Sequence, residues 1–328
     1  MIWRKEIQFK KKRIIIFLIF TLIVASFLLI PLFEKGYFLR FLTFMFTFAI
    51  ISQGLNITAG YSGYIPFGHM AFFGAGAYIV AVSMINHVSF LIALLFNIVI
   101  SIIIALIAGY PLLRLRGAYF TMGTIAFNGV IREVTVNLTK WTGGGYGISL
   151  PQIPWNIESV NTFFYYIMFG WLAVCTIVIY LLAKNPVGYA LRAIKDDENA
   201  AATSGINTTK YKMIAWVTSA VFVSIGGGIY AYWMTFIDAS VYDISPLIKS
   251  WVILLVGGAG TVMGPLLGAF LIESLSELLW GNIVIFHNGF LGIIIIIFIL
   301  VLPGGIIDLF KKQFKLSLIR EEIRKNKI

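Results

Sequence analysis

Charged side chains are scarce in this chain of 328 residues: Asp, Glu, Lys and Arg make up 12% of it, and hydrophobic residues 59%. A soluble domain carries about 25% charged residues, and half that supply cannot cover a water-facing surface of this size. A soluble enzyme is therefore excluded. Cysteine is almost missing. The single Cys175 lies in an apolar run, so an internal disulfide, a zinc cluster and a thiol redox pair are excluded together. Among the 31 glycines no strand–G-x-G-x-x-G–helix unit or P-loop pattern occurs, which rules out nucleotide binding by the chain itself. From Phe41 to Leu113 there is no Lys, Arg, Asp or Glu at all, only His69 and His87.

The charge that is present sits at the ends. Formal net charge is +11, which on its own suggests nucleic acid. Residues 1–13 hold Arg4, Lys5, Lys10, Lys11, Lys12 and Arg13 against Glu6. Residues 311–328 hold Lys311, Lys312, Lys315, Arg320, Arg324, Lys325 and Lys327 against Glu321 and Glu322. The body between them is nearly neutral. This is the distribution of a membrane protein, and no nucleic-acid partner is expected.

A helix needs about 20 apolar residues to cross the hydrocarbon core. The clear candidates are 14–32, 39–58, 89–110, 161–183, 212–234 and 288–308. The Gly-rich segment 66–86 is read as a further helix. Weaker candidates are 117–138, interrupted by Arg132 and Glu133, and the pair 248–259 and 264–280. The run 14–32 is longer than a signal h-region and no A-x-A site follows it, so it is read as a retained span. Basic residues favour the cytoplasmic side. They put 1–13, the loop with Arg114 and Arg116, segment 184–212 and the C-terminal tail inside. Residues 139–160 and the loop with Asp238 and Asp243 fall outside. The expected fold is an all-α polytopic membrane protein of about ten transmembrane helices with both termini cytoplasmic. It divides into a basic tail 1–13, a transmembrane domain 14–310 and a basic tail 311–328.

Segment 184–212 is the one internal loop that is both charged and long enough to form structure. Asp196, Asp197 and Glu198 precede Ala200, Ala201, Ala202 and Thr203, and Gly205 follows. Acids at a helix start suit the dipole, alanine favours helix, and glycine stops it. The segment reads as a short exposed helix suited to a pocket on another protein, the alternative being a solvated loop. Two stripes with spacing of four, Gly260–Gly264–Gly268 and Ala220–Ser224–Gly228, are assigned to helix packing. His69 is expected to hydrogen-bond between helices or to face a pathway. A break at Gly60, Tyr61, Ser62 and Gly63 would expose backbone N–H groups where it lines water. Glu273 and Glu277, one turn apart, are expected at an interface or in contact with a basic group of another span, since the motifs of an intramembrane enzyme are absent.

The segment GYALRAIKDDENAAATSGIN resembles the cytoplasmic coupling loop of bacterial ABC importer permeases, specifically those of branched-chain amino acid importers. The blocks LNITAGYSGYIPFGHMAFFGAGAY (55–78), PLLRLRGAYFTMGTIAF (111–127) and WVILLVGGAGTVMGPLLGAF (251–270) agree, as do TGGGYGI (142–148) and LPGGIIDLF (302–310). The RLRG block and the extra N-terminal span resemble the M-type subunit. Tyr64, Ile65 and Pro66 replace the usual Gln and Ser-Leu, and Ala118 replaces a common Asp; these departures lie near the expected pathway.

The resemblance implies an importer with a second homologous permease, two ATPase subunits holding ATP and Mg, and an extracytoplasmic solute-binding protein, in the inner membrane. This chain would bind no cofactor or metal and would not be an enzyme. Arg192, Lys195, Asp196, Asp197, Glu198, Ala201 and Gly205 would couple to the ATPase. Gly60, Tyr61, Ser62, Gly63, His69, Gly74 and Gly76 would belong to the substrate pathway. Alternatives are a permease for urea, short amides or simple sugars and, in a different class, an ion-coupled secondary transporter.

Overall fold

Backbone in lipid must satisfy its own hydrogen bonds, so apolar runs of this length become helices. The computed structural model describes residues 25–34 and 36–282, with 292, 305 and 306. Both basic tails, and nearly all of the expected span 288–308, lie outside the described residues. The helices in chain order are α1 (residues 25–33), α2 (Tyr37–Leu55), α3 (His69–Ile85), α4 (Phe90–Leu112), α5 (Ala118–Asn137) and the single turn α6 (Thr139–Thr142). There follow α7 (Ile157–Lys184), α8 (Pro186–Asp196), α9 (Glu198–Thr203), α10 (Thr208–Met234), α11 (Ile244–Gly257) and α12 (Gly264–Asn282). A π-helical turn, Asn56–Tyr61, prolongs α2.

Four of these stretches are long and apolar enough to cross a membrane: Tyr37–Tyr61, Phe90–Leu112, Ile157–Lys184 and Thr208–Met234. They coincide with the expected spans 39–58, 89–110, 161–183 and 212–234. The weaker candidates are helical too, as α3, α5, α11 and α12. One departure from an all-helical chain is a two-residue antiparallel pair, Ile148 with Ile237 and Ser149 with Phe236. It ties the α6–α7 connection to the end of α10, giving loop backbone a partner.

α4 displays the pattern of a lipid-facing helix. Its buried positions are small or polar, Ala93, Asn97, Ser101, Ala105 and Ala108, while Leu91, Leu95, Val99, Ile103 and Ile107 are exposed. Water would demand the reverse; lipid permits large apolar groups outside and rewards close backbone approach inside. α10 is the centre, packed on α2, α3, α4 and α7. The stripe Ala220–Ser224–Gly228 is its contact face. Asn97 Nδ2 donates to the Ser224 carbonyl (2.9 Å) and Ser224 Oγ donates to Asn97 Oδ1 (2.6 Å). A Cβ at Gly76 would lie 2.0 Å from the Ser224 carbonyl oxygen.

The second stripe is corrected. Gly260 is not on a helix: it stands in the α11–α12 turn with φ +78. Thr261 Oγ1 accepts from Gly264 N (3.1 Å), so capping starts α12 at Gly264. Gly264 and Gly268 do share a helix and pack against Gly258 and Ile253 of the hairpin.

Candidate functional site

α7 stops where Pro186 follows Asn185, since the residue before proline is driven out of helical geometry; Asn185 is extended (φ −91, ψ 165). Proline at the first position then starts α8. Gly188, Ala190, Leu191 and Ile194 form its buried face. Asp197 begins α9: its Oδ1 accepts from the N–H groups of Asn199 (2.8 Å) and Ala200 (3.0 Å). Asp196 is the last residue of α8, so Asp197 and Glu198, and not all three acids, serve the α9 start. At the far end Gly205 takes φ +85, with Ile206 N–H bonded to Ala201 O and Gly205 N–H to Ala202 O, both at 3.1 Å. That is the Schellman arrangement, and it fulfils the stop expected of Gly205.

The two short helices are bonded to the bundle at three places. Lys195 Nζ donates to the Gly60 carbonyl at the end of the π-helical turn (2.9 Å). Arg192 donates to the Ala183 carbonyl (3.1 Å) and lies over the Tyr61 ring, 5.6 Å from its centroid. The third is a cluster around Lys212, whose side chain is only 5% exposed. Lys212 Nζ donates to Glu198 Oε1 (2.7 Å), to the Tyr64 hydroxyl (2.9 Å) and to the Leu113 carbonyl (3.0 Å), which uses all three of its protons. Tyr64 in turn donates to Glu198 Oε2 (2.5 Å). Arg116 lies 3.8 Å from Glu198 and donates to Asn199 Oδ1 (3.0 Å). Burial raises the Glu198 pKa, but hydrogen bonds from Lys212 and Tyr64 and the charges of Lys212 and Arg116 outweigh it and hold the carboxyl below its ordinary range.

Arg192, Lys195 and Glu198, expected to reach a partner, are thus engaged within the chain. Ala201 is buried on the same inward face of α9 as Glu198. The outward face is Asn199, Ala200, Ala202 and Thr203, which sequence reasoning had not separated from the inward one. Tyr64, a departure first placed near a pathway, belongs to this cluster.

The pathway candidates are buried, except Gly63, which is exposed. Of the expected break Gly60–Gly63, Gly60, Tyr61 and Ser62 stay helical, and the chain leaves the helix at Gly63, which takes φ +75 while its N–H still bonds to Ala59 O (3.2 Å). The extended stretch runs on from there, up to Gly68, because the π register carries helical hydrogen bonding past Gly60. Tyr61 and Ser62 are buried. Gly60 sits against Asn56 and Gly260, with Asn56 accepting from Gly260 N (2.8 Å) and donating to Thr261 O (2.8 Å). Gly74 faces the Tyr242 ring and Gly76 faces Ser224. His69 is wholly buried, its Nε2 3.1 Å from Ser219 Oγ, as a histidine bonded between helices should be. The π-helical turn therefore joins the α8–α9 segment on one side to the α11–α12 turn on the other.

At the opposite end of α2 a second polar group assembles. Lys249 of α11 pairs with Glu273 of α12 (2.9 Å), which among the described residues gives Glu273, and not Glu277, the basic group of another span. Tyr37 donates to Glu277. Among the described residues no group of three or more His, Cys, Asp or Glu is placed to hold a metal.

Comparison with known proteins bears on both ends. The chain is 27% identical to the high-affinity branched-chain amino acid transport system permease protein LivM of Salmonella typhimurium, over 84% of this chain and 71% of that one. The LivM protein of Escherichia coli is 26% identical over the same shares. The autoinducer 2 import system permease protein LsrC of Yersinia pestis is 26% identical over 62% of this chain and 60% of its own length. A solved structure of PsaBC from Streptococcus pneumoniae in complex with Fab aligns with a TM-score of 0.45 at 15% identity, covering 85% of this chain and 94% of that one. The family model described as branched-chain amino acid transport system / permease component matches residues 37–302. That match runs from α2 past α12 and takes in the bundle and the α8–α9 segment alike; the chain belongs to this family of transport-system permeases.

Proposed function

We propose that the chain is the permease of an ATP-driven importer for branched-chain or other small hydrophobic amino acids. It crosses the bacterial cell membrane about ten times with both termini in the cytoplasm. Two separate ATPase subunits hold ATP and Mg, a second related permease completes the pathway, and an external solute-binding protein delivers the substrate. The outward face of α9, Asn199, Ala200, Ala202 and Thr203, docks on the ATPase. The observation that carries this reading is the two-sidedness of the segment. One face is bonded to the bundle through Lys195, Glu198 and Lys212, and the other is exposed with small side chains, Asn199 alone reaching back to Arg116. A displacement of α8–α9 then reaches Gly60 and, through Asn56, the α11–α12 turn. In this reading Gly60, Tyr61, Ser62 and Gly63 act as a joint, and Gly74 and Gly76 keep α3 against its neighbours.

α5 supplies the pathway wall. It is 20 residues long, about 30 Å, yet it is not among the helices apolar enough to face lipid. Its exposed side carries a line of Ala126, Gly129, Glu133 and Asn137 beside the larger Tyr119, Met122, Ile125, Val130 and Val134. Such a face suits water or a second permease.

Uptake of labelled leucine by vesicles holding the assembled importer is the test. Vanadate should abolish uptake while an ionophore leaves it intact. Uptake that needs no ATPase subunit and collapses with the ionophore would make the chain a secondary transporter. The LsrC relatives favour a second reading in which the cargo is autoinducer 2; competition by unlabelled autoinducer 2 with no competition by leucine would select it.

A further inference from the structure

Tyr37 and Tyr61 bound a helical stretch of 25 residues, so the Tyr37 end lies about 36 Å from the joint described above. At that end α2, α11 and α12 surround an open cleft of about 470 Å³. Its polar lining includes Arg40, Lys249, Glu273 and Glu277, and its apolar wall is Phe41, Phe44 and Phe48. Glu273 is 6% exposed. Its Oε2 is held by Lys249, while its Oε1 is buried and meets no donor among the described residues. A carboxylate oxygen only accepts, so the group that completes this site must be a donor. An unmet buried carboxylate oxygen is costly, and charges at membrane depth persist where they face a cavity or a partner. Two cations balance two carboxylates in the lining, so a guest with net charge would upset the site and a neutral zwitterion would not. Arg40 is exposed at the rim and offers a guanidinium fork to an anionic group.

We propose that this cleft binds a zwitterionic amino acid, its ammonium on Glu273 Oε1, its carboxylate on Arg40 and its side chain against the phenylalanines. The choice of an amino acid among zwitterions rests on the importer reading above. The site would receive substrate at the end of the permease remote from α8–α9.

The test uses the full-length chain in nanodiscs made of phosphatidylglycerol, with leucine binding read by scintillation proximity. Glu273→Gln and Arg40→Gln should each weaken leucine at least about tenfold, the loss of one charge-assisted bond. Leucinamide, a cation that lacks the carboxylate, should not be weakened by Arg40→Gln. Arg40→Gln leaves the Lys249–Glu273 pair untouched, so it decides the matter even where Glu273→Gln fails to fold. Leucine binding within twofold of native in folded Arg40→Gln protein would overturn the proposal. So would retention of phosphatidylethanolamine by Glu273, seen by native mass spectrometry and insensitive to leucine, which would assign the cleft to a lipid headgroup. If the variants bind normally and the importer still takes up leucine with ATP, the cleft falls and the importer stands. If native protein binds leucine through both residues but no ATP-driven uptake occurs, the cleft stands and the importer reading falls.

Discussion

Two lysine–glutamate pairs stand at different depths of the bundle, one at the α9 junction and one beside Phe48, about midway along the Tyr37–Tyr61 stretch, and they are completed to different degrees. Lys212–Glu198 (2.7 Å) lies where α9 meets the bundle, and every polar atom of the pair has a partner. Lys249–Glu273 (2.9 Å) lies between α11 and α12 and leaves one carboxylate oxygen unmet. A saturated buried network holds one geometry firmly, which suits a joint that must pass on a displacement. An unsaturated one retains a place for a ligand. On the two proposals above, the same two residue types would serve transmission in one pair and reception in the other.

Lys212→Met breaks the comparison most strongly. It leaves Glu198, with a side chain 14% exposed, facing Tyr64 and the distant Arg116. Removing one partner of such a pair costs about 3 kcal/mol, at the low end because Arg116 remains. The denaturation midpoint in detergent should fall, and substrate-stimulated ATP hydrolysis by the assembled importer should be lost. The double variant Lys212→Met/Glu198→Leu should regain most of the stability, since apolar replacement of both partners is often neutral. It should not regain coupling. Restored coupling would mean that the cluster is only a fastening.

Gly76→Ala acts on the helix packing instead of on either pair. The added Cβ meets the Ser224 carbonyl oxygen at 2.0 Å, and backbone cannot swing aside as a side chain can. α3 and α10 must separate, at a cost of about 2 kcal/mol. Thermal unfolding should record it, with a smaller effect from Gly170→Ala, where a Cβ meets nothing within 4 Å. Equal losses at the two sites would show that α3 and α10 do not need their close contact.

Much of this architecture is legible along the chain, and the rest fails for one physical reason. Run lengths mark the spans, and an isolated Glu273 in an apolar helix calls for a cation elsewhere; Lys249 answers it from 24 positions away. Counting cations assigns sides but does not say which cation is buried. Lys212 reads as one of several basic residues in a loop, yet its partner Tyr64 lies 148 positions away. Glu198 and Ala201 both turn inward because they sit three residues apart on one face of α9. Arg40 had a readable signal: Tyr37, Arg40, Phe41, Phe44 and Phe48 follow a single helical face. Gly260 was misassigned because spacing of four is silent about where a cap begins the helix.

Gly205→Ala tests the joint more gently. With φ +85 and nothing within 4 Å of an added Cβ, the cost is backbone strain alone, about 1 kcal/mol. Because Gly205 closes α9 through Ala201 and Ala202, the expected result is fraying of the helix end. Global stability should barely move, while affinity for the ATPase weakens severalfold. Native affinity would exclude the α9 face from docking.

The smallest expected effect is a pH response that stays absent until acid conditions. Glu198 has a pKa held below the ordinary carboxylate range, about 4.3 for glutamate. A group whose pKa is lowered by folding contributes stability above its unfolded value, and that contribution is lost as pH falls through the lowered one. From pH 8 to pH 5 the Lys212–Glu198 pair should therefore keep its full contribution, and Glu198 should protonate and α9 loosen only below the ordinary glutamate range. Hydrogen exchange at the Asn199 and Ala200 amides, which Asp197 caps, would follow α9 directly. The same scan in Glu198→Gln isolates what the pair adds to the cap. Native protein should lose protection at a lower pH than a cap with no pair behind it would allow, and the variant should lose it earlier. Identical profiles would mean that the pair adds nothing to the hold on α9, and the contrast between the two pairs would reduce to the unmet oxygen of Glu273 alone.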